Sequence, residues 1–212
     1  MRLEAWTSPT GKRRVLTRLD AGERWRYDVA VALAFPDIRL GPAVFGSPAR
    51  TTSLAVQRRR WRSAVRARAA GARSVVVSDV AACYPSIREP AIRMAAARAG
   101  GDPTPLLRAI ASYRRIGGDG IPIGPSASAL VADAVLALAD DGARTAGCPP
   151  VRWVDDVVFA GDRDAVARGS RAWRRMLVDL GMHEHDGKRT TDPIAVLGSP
   201  ETVSGRGIMR GT

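Results

Sequence analysis

Inside the run VRWVDDVVFAG (Val151–Gly161), two aspartates stand side by side between β-branched and aromatic residues. Each flank reads as strand, and the pair between them reads as the tip of a strand–turn–strand unit. Burying an unpaired carboxylate is costly, and two adjacent ones repel, so a purely structural site selects against such a pair. Something positive or strongly solvating is required: an arginine, the water around an exposed tip, or a bound divalent cation.

The flanking sequence narrows the choice. RLEAWTSPTGKRRVLTRLD alternates polar and apolar residues around the turn residues Ser8–Gly11 and predicts a basic β-hairpin. Helical spacing follows from Ala21 to about Ala34, then a loop with Pro36 and Pro42 to about Arg50, then a second helix to about Ala70. RSVVVSD (Arg73–Asp79) predicts a buried central strand ending on a carboxylate. Helices are expected at Glu89–Ala99 and Thr104–Arg115, with prolines tolerated in their first turns. The loop GGDGIPIGPSAS leads into a long helix whose apolar face is Ala127, Leu130, Val131, Ala134, Val135 and Leu138. After the Asp-Asp unit, Asp162 caps a helix to about Leu180, and Ile194–Leu197 is expected as a last strand. From Val75 onward this is the β-α-β-β-α-β order of a ferredoxin-like α+β sheet. In that topology the first and third strands are neighbours, so Asp79 approaches Asp155 and Asp156.

Three converging carboxylates suit a hard divalent cation, because Mg²⁺ takes one or two carboxylates and shares its other positions with water and substrate phosphate. Two such ions clamp the attacking and leaving oxygens of a phosphoryl displacement. The 212 residues carry a formal net charge of +12, nearly all from arginine, and such a chain attracts polyanions. The densest cluster, Arg58–Arg73, reads equally as a solvated helix face. Cys83 and Cys148 have no partner spacing for a disulfide or zinc site. With no leader and no apolar run long enough to cross a bilayer, the expectation is a soluble cytoplasmic protein. His183 and His185 read as loop residues rather than metal ligands, and Trp6, Trp25, Trp61 and Trp173 as packing residues rather than base-stacking platforms.

Taken in order, SDVAACYPSI (Ser78–Ile87), GIPIGPSASALVADAVLALAD (Gly120–Asp140), RWVDDVVFAGD (Arg152–Asp162) and LGMHEHDGK (Leu180–Lys188) resemble the palm motifs of reverse transcriptases. PTGKRRVL (Pro9–Leu16) and LAFPDIRLGPAVFGSP (Leu33–Pro48) are similar to their fingers region, and the PIGPSAS variant is closest in style to bacterial abortive-infection and unclassified members. The resemblance implies a fingers-like part over 1–72, a palm over 73–200 and a Gly/Arg tail over 201–212, with no thumb. It implies an RNA-directed DNA polymerase using Mg²⁺, with Mn²⁺ as a substitute, on an RNA or DNA template-primer and deoxynucleoside triphosphates, in phage defence or a mobile element. Asp79 and Asp155 would hold the metals with the Val80 carbonyl, and Asp156 is the second member of the pair. Tyr84 stands where the family has its steric gate, although a core tyrosine is the competing reading. Lys12 and Arg14 match the triphosphate-binding cations, Arg13 fitting by a one-residue shift. Gly124 would face the nascent base pair. Lys188 matches a lysine that protonates pyrophosphate, and a solvated lysine fits equally well.

Trp153 replaces the family's tyrosine or phenylalanine, and Ile123 stands where many members carry glutamine. A thumb would come from a second copy, from a partner protein, or from sequence beyond a truncated reading frame. The alternatives are an untemplated or protein-primed polymerase and a catalytically impaired nucleic-acid-binding protein derived from one.

Overall fold

In a computed structural model that describes residues 1–8, 11, 13–38 and 40–190, the chain opens as an antiparallel ribbon of β1 (Arg2–Thr7) and β2 (Arg13–Arg18). Helix α1 (Ala21–Ala34) starts at a capping box: Asp20 accepts the Glu23 N–H at 2.8 Å, and the Glu23 carboxylate accepts the Asp20 N–H at 3.0 Å. Next come β3 (Val44–Phe45), α2 (Leu54–Ala69), β4 (Ser74–Asp79), a short α3 (Cys83–Ser86), α4 (Glu89–Ala99), α5 (Thr104–Arg115) and α6 (Ser126–Thr145). The chain continues through β5 (Val151–Trp153), β6 (Asp156–Gly161), α7 (Arg163–Asp179) and a 3₁₀ turn at Asp186–Lys188. Asp162 caps α7 as expected, accepting the N–H groups of Asp164 and Ala165.

The fold is mixed α+β, with a four-stranded sheet in the order β3-β5-β6-β4. Strands β4, β5 and β6 pair antiparallel in the order expected from the β-α-β-β-α-β reading, and β3 adds a parallel edge beside β5. One feature differs from expectation. The sequence gives no signal for β3, which is two residues long inside a Pro/Gly-rich loop. Along the outer edge of β4, Val77 bridges Thr190 and Val80 bridges Glu184. The expected strand Ile194–Leu197 lies outside the described residues.

Both faces of the sheet are covered, which explains the unbroken apolar run VVV in β4. On one face Val76, Val80, Val157 and Phe159 pack in a core with α1, α4, α6 and α7. On the other, Val75, Val158 and Ala160 meet Trp61, Val65 and Ala69 of α2. Helix α6 is buried almost all round rather than along one face, and Asp133 and Asp140 are buried with it. Cys83 and Cys148 are free and buried, Trp61 and Trp173 are buried, and Trp25 is exposed. Among the described residues no helix is long and apolar enough to cross a membrane.

Candidate active site

The β4–β6 ladder places Asp79 directly opposite Asp156. Opposed residues of an antiparallel pair project to the same face, so these two carboxylates share one side of the sheet. Asp155 lies one residue earlier, in the two-residue loop Val154–Asp155 closed by the Trp153–Asp156 pair. Its carbonyl accepts the Val80 N–H at 3.3 Å, which ties the loop to the end of β4. The three aspartates named from sequence therefore gather at one end of the sheet. Asp79 is buried and the other two are half-buried. Burial and the negative charges of Asp155 and Asp79 hold the neighbouring Cys83 thiol well above its ordinary pKa. Positive charge reaches the pair from α2: the Arg58 guanidinium lies 5.5 Å over the Trp153 ring and interacts with Asp156.

Backbone strain concentrates at this end. Among the described residues, only Ala82 (φ 45°) and Val154 (φ 52°) take positive φ without being glycine, and they lie in the turns that follow Asp79 and precede Asp155. Val154 alone of its loop pair has positive φ, a backbone region where glycine is the usual residue. A β-branched residue there costs about 1–3 kcal/mol and persists only where its surroundings over-determine it. They do so here. The Val154 N–H donates to the Phe45 carbonyl at 3.1 Å, and its carbonyl accepts from Arg152 Nη1 at 2.7 Å. Gly46 packs against it so closely that an added Cβ would lie 2.7 Å from Val154 Cγ2. Gln57 fixes that glycine, accepting the N–H groups of Gly46 and Ser47 and donating to the Ser47 and Thr52 carbonyls.

Arg152 is fully buried and was not singled out by sequence reasoning. Its Nε donates to Asp140 Oδ2 at 2.8 Å and its Nη1 to Asp133 Oδ1 at 3.0 Å, while Trp173 Nε1 donates to Asp140 Oδ1 at 3.2 Å. Burial disfavours the Arg152 charge, but the two carboxylates outweigh it and hold the pKa above its ordinary value. Burial dominates at Asp133 and pushes its carboxyl up against the pull of Arg152 and a hydrogen bond from Ser47. One signal was present in the sequence: Asp133 and Asp140, seven residues apart on a largely apolar helix, share a face.

Tyr84 sits in α3, partly buried against the main core, and burial pushes its phenol well up, so it stays protonated. Its carbonyl accepts the Ile121 N–H at 3.1 Å. The loop Gly120–Gly124 is seated between this turn and the ribbon, where Thr17 N–H donates to the Ile123 carbonyl at 2.7 Å. A Cβ on Gly124 (φ 125°) would lie 3.1 Å from the Thr17 carbonyl oxygen, so the glycine expected at a substrate is held against β2. Arg14 is exposed on β2, three residues or roughly 10 Å along the strand from Thr17. Lys12 lies outside the described residues. Lys188 closes the 3₁₀ turn whose flanking segment runs beside β4. His183 and His185 are exposed, and their backbones bracket Asp79: Ala81 N–H donates to His183 O at 2.9 Å and His185 N–H to Asp79 O at 2.8 Å. Trp153 is not presented to a cleft but buried beside Trp61, ring centroids 5.8 Å apart.

The aspartates offer only carboxylate oxygens, the donor chemistry of Mg²⁺. Among the described residues no three His, Cys, Asp or Glu side chains form a group that could by itself hold a metal. Mg²⁺ does not require a full protein cage, because it keeps water and phosphate ligands. Comparison with protein-family models and with curated proteins returned no match.

Proposed function

We propose that this chain is a nucleotidyl transferase of the reverse-transcriptase type, extending a primer 3′-hydroxyl with deoxynucleoside triphosphates along a nucleic-acid template, RNA in the first instance. The observation that carries the reading is the register of Asp79 opposite Asp156, with Asp155 in the adjoining strained turn and the Tyr84–Gly124 loop system near the same end of the sheet. Mg²⁺, for which Mn²⁺ substitutes, would be held by Asp79 and Asp155 with Asp156 beside them, and the Val80 carbonyl is the further ligand that the resemblance implies. When bound, it would offset the charge of the triphosphate and acidify the primer hydroxyl.

The chain's own groups do the rest. Asp79 and Asp155 are presented from two different β-elements whose relative position the ladder fixes. Tyr84, neutral because its phenol is buried, supplies a wall rather than a charge, and an aromatic wall against the sugar disfavours a 2′-hydroxyl. The Gly120–Gly124 loop, pinned to Tyr84 and to Thr17, gives the incoming nucleotide a rigid boundary. Exposed Arg59, Arg60, Arg66 and Arg68 on α2 draw the polyanion in. Lys12 and Arg14 would take the triphosphate, and Lys188 would return a proton to pyrophosphate.

Single-nucleotide incorporation on an RNA template tests this. The complementary deoxynucleotide should be added, the other three and the matching ribonucleotide should not, and Tyr84→Ala should admit the ribonucleotide. Addition regardless of template would move the protein to untemplated synthesis. A second reading is a polymerase-derived nucleic-acid-binding protein, for which the exposed arginines of α2 alone suffice. It predicts duplex binding without any incorporation.

A further inference from the structure

The Asp155–Asp156 turn is held by a device that lies behind it in the core. Asp133 and Asp140 stand two helical turns apart on α6 and reach the same guanidinium, one at Nη1 and the other at Nε. The Nη1 that meets Asp133 also donates to the carbonyl of Val154, the residue with the left-handed backbone immediately before Asp155. Asp140 is fixed in turn by the Trp173 indole from α7. Helices α6 and α7 therefore act through one guanidinium on the Val154 carbonyl, while the Val154 N–H, in the preceding peptide group, is tied separately to the Phe45 carbonyl.

A fully buried charge triad is a poor way to gain stability. Similar triads can be replaced by apolar residues of matched volume with no loss of stability and sometimes a gain. A fork that simultaneously satisfies two carboxylates and one strained carbonyl is, however, something that only arginine's planar geometry provides. We infer that Arg152, oriented by Asp133 and Asp140, is a positioning residue that holds Val154 in its left-handed conformation and thereby sets where Asp155 and Asp156 point. Helix α6 begins at the Gly120–Gly124 loop, so the clamp also links the loop side of the site to the carboxylate side through one rigid element. The kinetic half of this inference rests on the function proposed above, and the structural half does not.

The test is Arg152→Lys in the full chain. Lysine keeps the buried positive charge, but its three donors radiate from one nitrogen and cannot reproduce the separated Nε and Nη1 contacts to the two carboxylates and the carbonyl. Amide hydrogen exchange is followed in peptides covering Val151–Gly161, α6 and α7, with a thermal melt alongside. Exchange at Trp153–Asp156 should rise by about tenfold or more while α6 and α7 stay within about twofold. Nucleotide incorporation should lose kcat with little change in the KM for deoxynucleotide. Hairpin exchange equal to wild type, or a rise shared equally by α6 and α7, would overturn the inference, and so would a loosened hairpin with wild-type kcat. Should Arg152→Lys give no cooperative melt, Asp133→Leu/Asp140→Leu/Arg152→Met carries the same readout without a buried charge. If no protein, wild type included, incorporates nucleotide, the polymerase reading fails, and the exchange data alone decide whether Arg152 sets the turn.

Discussion

Gly120 provides a quantitative test of how the substrate-side loop is seated. Its φ is +62°, and an added Cβ would fall within the envelope of the Tyr84 carbonyl oxygen and 2.5 Å from the carbonyl carbon and oxygen of Pro85. These are backbone atoms at the end of a helical turn and cannot rotate away. Gly100 offers a matched control: its φ is +68°, but nothing lies within 4 Å of the added carbon. Left-handed backbone costs a non-glycine residue about 1–2 kcal/mol, so Gly100→Ala should lose about that much. Forcing a methyl into filled space costs about 1–3 kcal/mol more, so Gly120→Ala should lose about 2–5 kcal/mol in all. Urea unfolding read by tryptophan fluorescence measures both, as a shift in midpoint with the slope unchanged. Equal midpoints for the two variants would refute the seating of the loop on Tyr84, because only the crowding distinguishes them. A larger loss in Gly120→Ala should be accompanied by slower nucleotide incorporation, since the relief of the clash must move either the loop or Tyr84.

Three further outcomes are expected. Trp61→Ala, at 1% exposure beneath Trp153, should cost about 3–5 kcal/mol in the same urea experiment, and a loss under about 1 kcal/mol would contradict the packing of α2 on the sheet. Both cysteines are buried with their thiols held above the ordinary range, so a thiol reagent at pH 8 should label neither until urea is added, and native labelling of Cys83 would contradict the position of α3. Binding to an RNA–DNA duplex should weaken linearly in log–log form with added salt, and Arg66→Gln/Arg68→Gln should lower that slope by about 1–2, whereas an unchanged slope would remove α2 from the nucleic-acid surface.

Much of the fold is legible because its elements carry local signals. Asp162 before α7 and the prolines in the first turns of α4 and α5 mark helix starts, and the alternation around Ser8–Gly11 marks the ribbon. That β4 and β6 are neighbours follows from the topology, and the observed register then sets Asp79 opposite Asp156. What could not be read depends on tertiary partners. Strand β3 is only Val44 and Phe45, a run too short to signal a strand apart from its pairing with β5. The role of Trp153 is invisible until α2 is seen to cover that face, where the side chain packs on Trp61 beneath Arg58. Arg152 reads as an ordinary strand residue, because the two carboxylates that bury it lie on α6, 12 and 19 residues earlier in the chain. The strain at Val154 has no sequence signal either, since the chain places valine where a hairpin of this kind would advertise itself with glycine.

The most direct test of the central claim is extension of a labelled DNA primer on an RNA template with Mg²⁺ and deoxynucleotides, comparing wild type with Asp79→Asn and with Asp155→Asn/Asp156→Asn, each first confirmed to bind the duplex and to melt cooperatively. Template-length product from wild type and none from either variant is the result the account predicts. Product from the variants at the wild-type rate, or none from a wild type that binds the duplex, would contradict it.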